Sequence, residues 1–337
     1  MPNTKPAVDS PEQVRYILRR AAEACGARVW PIGAVTMGEK GETLTDAQAL
    51  KEAGAVALSD DGLPIQNANL MRDALIRCKR LGLTILSHCE DADMVCNYAV
   101  NEGRVSRALD LPGRPAIAEE LMVMRDAMLA EETGAAVHIC HISTAGSVDI
   151  VRQFKKRGTH ITCETCPQYF TLTEDEVLSQ GAMARVNPPL RTKQDVEAII
   201  AGLKDGTIDA IATDHAPHSA QEKARTLTEA PSGMVGLETA LAVTLTALYH
   251  TGEMDLSDIL KKMTFNPACI LGIPKGRLSL GGEADFTIFD PNEVWTVDPE
   301  QFASKGRNTP FAGRELKGKV KYTIVGGKLV YEDKGGR

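Results

Sequence analysis

Short apolar runs alternate along this chain with longer stretches in which apolar positions return every three or four residues. The runs at 29–35, 55–58, 83–87, 135–139, 160–164 and 209–212 read as buried strands. Between them, helices are predicted over 68–81, over a Glu-, Met- and Ala-rich stretch closed by Gly134, and over 144–156, 195–203 and 237–249. The first helix has the clearest start. Ser10 stands at N-cap, Pro11 at the first helical position, and Gln13 completes a capping box. Val14, Ile17, Leu18 and Ala21 then form one apolar stripe, and Gly26 closes the helix. A longer insertion around 104–115 interrupts the alternation.

Strand alternating with helix at this spacing predicts an α/β fold, a parallel sheet of βαβ units closing as a barrel. After about residue 275 the texture changes. Gly281-Gly282 and the segments 284–289 and 319–330 read as short strands joined by glycine turns. The expected division is therefore a barrel over 1–275 and a small β-unit over 276–337.

Composition narrows the function more than the fold. The 337 residues suffice for a large core, and 43 % apolar with 25 % charged residues is ordinary for a globular protein. A net charge of −7 without any basic cluster argues against nucleic acid or a membrane surface as partner. No apolar stretch reaches the length of a membrane span, and the first residues carry no secretory signal. The eight cysteines are scattered through apolar runs, which predicts free thiols in a reducing cytoplasm. Cys163 and Cys166 have C-x-x-C spacing but no second pair at a zinc-ribbon distance, so they read as packed thiols.

The richest stretch is Ala212-Thr-Asp-His-Ala-Pro-His218, directly after a predicted strand. It places Asp214 and His215 at the carboxyl end of that strand, where a parallel barrel collects its catalytic groups. An Asp there can ligate a metal or move a proton. Three other strand ends offer metal-competent side chains: Asp61, His88 and His141. Each alone has a plain explanation. Asp61 can belong to an Asp-Asp-Gly turn, a His beside a strand is commonly a hydrogen-bonded core residue, and Asp214 can cap a helix. Together, in a barrel, all four point into one mouth. Imidazole nitrogens with carboxylate oxygens suit zinc, and a carboxylate between two ions would bridge a pair.

With these residues in view, the chain resembles the class I bacterial dihydroorotases of the amidohydrolase superfamily. The resemblance is carried by Met1-Pro-Asn-Thr4, Ser59-Asp-Asp-Gly62, Ser87-His-Cys-Glu90 and His138-Ile-Cys-His-Ile-Ser143. It continues through Asn187-Pro-Pro-Leu-Arg191, the run ending at His218, Gly236-Leu-Glu-Thr239, Asn266-Pro-Ala268 and the closing β-unit. It implies a TIM-type (β/α)8 metal-dependent hydrolase barrel. By the same resemblance Asp61 bridges two zinc ions, His88 and His141 hold the second, and Asp214 binds the first and acts as general acid/base. Asn3, Asn187, His218 and the backbone around Ser232 and Gly233 grip the substrate. The implied reaction is the reversible cyclisation of N-carbamoyl-L-aspartate to (S)-dihydroorotate by zinc-activated hydroxide, a step of pyrimidine synthesis.

The chain also departs from that family. The family's first barrel strand ends in His-x-His followed by Arg, and no histidine precedes His88 here. Met-Pro-Asn-Thr stands at the end of the second strand in the family. Six barrel strands of eight are therefore expected, in an open sheet exposing two edges. The first metal would lack two nitrogen ligands, and the substrate carboxylate its guanidinium clamp. A truncated chain with poor metal binding and little activity alone is the expectation. Two other readings stand beside it. One is a catalytically dead scaffold subunit for aspartate transcarbamoylase, or a homo-oligomer of such chains. The other is a hydantoinase or allantoinase, whose carboxylated lysine bridge has no counterpart near Asp61.

Overall fold

The computed structural model describes residues 1–24, 26–96 and 98–335. Its strands in chain order begin with β1 (Ile32–Ala34), β2 (Ala57–Ser59), β3 (Ile85–Ser87), β4 (Val100–Asn101) and β5 (Gly113–Arg114). There follow β6 (Val137–Ile139), β7 (Ile161–Thr165) and β8 (Ala210–Ile211). Six of these form one parallel sheet in the order β1-β2-β3-β6-β7-β8. Each coincides with or overlaps one of the six apolar runs. The insertion between β3 and β6 folds into the separate β4–β5 ladder and a short helix, Arg104–Ala108.

Helices cover the outer face of the sheet. Met71 and Leu75 of Ala68–Leu81, Val123 and Ala127 of Ala116–Thr133, and Val148, Val151 and Phe154 of Ala145–Lys156 pack in one core with Ile85, Val137, Ile139 and Ile161. Each large aliphatic side chain so removed from water contributes about 1.5–3 kcal/mol. The first helix runs Pro11–Ala24, with Gln13 N donating to Ser10 Oγ at 3.5 Å. The predicted 237–249 helix is shorter at its start: Ala240–Thr244 is α-helical and Leu245–Tyr249 continues as a π-helical turn. Helices Ala47–Ala53 and Leu256–Met263 lie outside the predicted elements.

The two outer strands of the sheet are not bare. Ala34 N of β1 donates to Val8 O at 2.8 Å, and Val8 itself is buried. Beside β8, Lys262 Nζ donates to Ile208 O at 2.5 Å and Asn266 Nδ2 to Asp209 O at 2.8 Å. The residues of both edge strands are buried, against the expectation of two exposed edges: Val8 meets a β1 amide, and Lys262 and Asn266 bind the carbonyls just before β8.

The C-terminal unit is an antiparallel sheet of β9 (Phe286–Thr296), β10 (Glu315–Val325) and β11 (Lys328–Glu332). Its first two strands have 11 residues each, longer than the short strands predicted. The stretch 319–330 divides at Gly326-Gly327, where φ of 57° and 76° closes a hairpin that favours glycine. Among the described residues, no helix is long and apolar enough to cross a membrane.

Candidate metal centre

A parallel sheet sends all its carboxyl ends to one side, and the four predicted strand-end residues arrive there together. Asp61 lies two residues beyond β2, His88 one beyond β3, His141 two beyond β6, and Asp214 three beyond β8. Asp60, next in the chain to Asp61, turns inward. Its Oδ1 accepts from Val35 N at 2.8 Å and Thr36 N at 3.0 Å, which locks the Asp-Asp-Gly turn and leaves Asp61 facing the mouth. Burial pushes the Asp60 carboxyl up to about 6. His141 and Asp214 have φ of 34° and 45°, a left-handed backbone that is costly for residues other than glycine and collects at functional sites.

One donor atom from each of Asp61, His88 and His141 lies within 4.8 Å of the others. His88 Nδ1 is 3.0 Å from His141 Nε2, with the rings edge-on at 74°, and Asp61 Oδ1 is 3.8 Å from the same Nε2. Two nitrogens on one tetrahedral zinc, at bonds of about 2.0–2.1 Å, stand roughly 3.3 Å apart. The N–N spacing and the mixed N/O donor set therefore fit a divalent ion. His141 Nδ1 is buried and has no hydrogen-bond partner, so Nε2 is the atom that faces the cluster.

The carboxylates set the electrostatics of the cluster. Burial disfavours the His141 imidazolium, but the carboxylates of Asp61 and Asp214 outweigh it and carry the group up to about 9. Burial also acts against ionised Asp61, yet its contact with His141 holds its pKa below the usual carboxylate range. Asp214 stands outside the three-residue group. Burial, with Asp61 nearby, raises its pKa above that of an ordinary Asp. In the loop after β1, buried Glu39 is pushed up to about 7 by burial and by Asp60 and Asp61.

The predicted substrate residues border the cluster from two directions. Asn3 Nδ2 donates to Asp61 Oδ2 at 3.0 Å, and Asn187 Nδ2 lies 3.4 Å from His88 Nε2. On the Asp214 side, His218 Nε2 is 2.8 Å from Ser232 O. Gly233 has φ of 129°, and a Cβ there would stand 2.5 Å from Ala216 Cβ and 3.0 Å from His218 Nε2, so only glycine fits. Other strand-side candidates are already engaged. His138 meets Thr162 Oγ1 at 2.8 Å and Glu164 Oε2 at 3.2 Å, and His215 Nδ1 accepts from Gly236 N at 3.1 Å. Cys163 and Cys166 are free and fully buried.

Three supporting residues escaped the sequence reading. Asn308 Nδ2 donates to Ala216 O and Gly233 O, both at 3.0 Å, and its Oδ1 accepts from His218 N at 3.0 Å. Lys223 is buried, with Nζ donating to Pro231 O and Gly233 O at 3.0 Å. Arg114 donates to both Glu90 and Asn187. Arg114 and Asn308 carry no local signal because they act on Asn187 and Ala216, 73 and 92 positions away. Lys223 carries none because only the folded loop brings the carbonyls of Pro231 and Gly233 around its ammonium.

Comparison with known proteins agrees with the geometry. A family model described as "Dihydro-orotase-like" matches residues 1–147. The dihydroorotase of Pelotomaculum thermopropionicum is 52 % identical over 99 % of this chain and 78 % of its own length. That of Acetivibrio thermocellus is 48 % identical over the same shares. Among solved structures, the L-hydantoinase (dihydropyrimidinase) of Arthrobacter aurescens superposes with a TM-score of 0.85 at 24 % identity, covering 98 % of this chain and 76 % of the other. The dihydropyrimidinase of Brevibacillus agri NCHU1002 gives 0.76 at 20 % identity, covering 98 % and 80 %. These structures share the fold, an amidohydrolase barrel with an appended antiparallel sheet. The chain belongs to the dihydroorotase family of metal-dependent amidohydrolases.

Proposed function

We propose that this chain carries dihydroorotase chemistry, the reversible closure of N-carbamoyl-L-aspartate to (S)-dihydroorotate with loss of water. The observation that supports it best is the convergence of Asp61, His88 and His141 from three strand ends, in a chain 52 % identical to a dihydroorotase. In this reading Asp61, His88 and His141 would hold a divalent ion, zinc by their mixed nitrogen and oxygen donors, with Asp214 beside it. A bound divalent ion polarises an amide carbonyl and makes water acidic near neutral pH. In ring opening, the Asp214 carboxylate takes the proton of the attacking water and returns it to the ring nitrogen as the C–N bond breaks. Cyclisation runs the same transfers backwards. Asn3, Asn187, His218 and the Ser232-Gly233 backbone orient the carboxylate and carbamoyl groups by hydrogen bonds. The strand leading to Asp61, Ala57–Ser59, carries no lysine that could serve as a hydantoinase's carboxylated bridge, which favours this reading over a hydantoinase.

The test supplies zinc to the purified chain and follows turnover and binding in parallel. Calorimetric binding of dihydroorotate in preference to hydantoin and allantoin is the expected result, with any turnover weak and confined to N-carbamoyl-L-aspartate and dihydroorotate. Ring opening or tighter binding of hydantoin or allantoin, with dihydroorotate ignored, overturns the proposal.

A further inference from the structure

Arg114 closes β5, in the insertion between β3 and β6, and its side chain is only 8 % exposed. A buried guanidinium needs acceptors, and this one has three. Nη1 donates to Glu90 Oε2 at 2.6 Å and to Asn187 Oδ1, and Nε donates to Tyr98 O. Both side-chain acceptors border the same imidazole. Glu90 Oε2 is 3.8 Å from His88 Nε2, and Asn187 Nδ2 is 3.4 Å from it. The other ring nitrogen of His88, Nδ1, faces His141 across 3.0 Å. The ring therefore has a protein side at Nε2 and a cluster side at Nδ1.

We propose that Arg114 is a positioning residue for the metal centre, fixing Glu90 and Asn187 beside His88 Nε2 so that Nδ1 is turned toward the ion. The proposal rests on the metal-centre reading above and adds to it a residue that touches neither ion nor substrate. Imidazole binds a metal through a bare nitrogen, so the proton must sit on the other nitrogen and be accepted there. With an Arg114 N–H on Asn187 Oδ1, that amide can offer His88 only its NH2 group. Glu90, whose Oε2 stands 3.8 Å from Nε2 and is held there by Arg114 at 2.6 Å, is then the acceptor on that side for an Nε2 proton. Asn187 is held in the same grip, so one cation sets both a ligand's orientation and a substrate amide.

Metal affinity of the intact chain tests this, with Zn2+ titrated against a chelator and Co2+ read by its visible absorption. Arg114→Met and Glu90→Gln are each expected to bind 10–100-fold more weakly, on the scale of lost outer contacts to a ligating histidine. Arg114→Lys, which keeps a cation within reach of Glu90, recovers most of the loss. Glu90→Gln preserves shape, so equal thermal unfolding of its metal-free form assigns its weakened binding to the site. His88→Ala separates the two layers of argument. If the parent chain binds no metal, or His88→Ala binds as well as the parent, the metal-centre reading falls and this proposal with it. If His88→Ala loses binding while Arg114→Met and Glu90→Gln bind like the parent, the positioning role alone is overturned.

Discussion

The two halves of the barrel mouth are built by different means. In one half, Asp61, His88 and His141 sit within two residues of β2, β3 and β6, and their side chains meet one another directly. In the other, Asp214, His218 and the Ser232-Gly233 loop are held chiefly through backbone: Asn308 and Lys223 grip carbonyls, and a left-handed Gly233 lets His218 approach. Strand ends anchored in a packed sheet suit ligands of an ion, which tolerates little positional error. Loops pinned by hydrogen bonds suit groups that must admit and release a small molecule.

That contrast can be broken most sharply by exchanging a residue from each half. His88→Ala or His141→Ala should abolish whatever metal binding the parent chain has at this centre, measured as bound zinc per chain at saturating zinc. Asp214→Asn should keep most of the metal bound to the histidine half while turnover falls about 10²–10⁴-fold, the usual weight of a positioned acid/base. Equal loss of metal in both variants would show that the halves are a single unit. A smaller effect is expected from Gly233→Ala. Its φ and its 2.5 Å approach to Ala216 Cβ predict about 1–3 kcal/mol of lost stability and weaker dihydroorotate binding, with zinc content unchanged.

The smallest effect is a pH dependence on the loop side. Burial pushes the Lys223 ammonium down to about 8, from 10.5 in a free side chain. Between those values the unfolded chain holds a proton that the folded chain has shed, so this group adds stability as pH rises from 8 toward 10.5 and removes it as pH falls through 8. Melting curves of the parent and Lys223→Met should therefore shift in the parent's favour over that range. A pH-independent difference would mean that Lys223 stays charged in its nest of carbonyls.

The legible part of this molecule was the part written in consecutive apolar residues. Six runs gave six parallel strands, and knowing that strands are parallel is enough to bring Asp61, His88, His141 and Asp214 to one side. The Ser10 hydroxyl, which accepts from Gln13 N, and the glycine after Thr133 marked helix ends because caps are local chemistry. The lengths of β9 and β10 were not legible, because most of their residues are exposed or only partly buried and carry no apolar run. Nor was the cover on the sheet edges, which comes from Val8 on one side and from Lys262 and Asn266 on the other.

The sequence by itself determined the alternation of strand and helix, the position of each candidate ligand at a strand end, and the family to which these motifs belong. Tertiary structure decided which of those residues touch. It joined Asp61, His88 and His141 into one donor group, left Asp214 beside it, and converted Arg114, Lys223 and Asn308 from ordinary polar residues into buried supports. Hydrophobic periodicity is a property of neighbours in the chain, so sequence carries it. Arg114 meets Asn187 across 73 positions and Asn308 meets Ala216 across 92, distances that only folding closes.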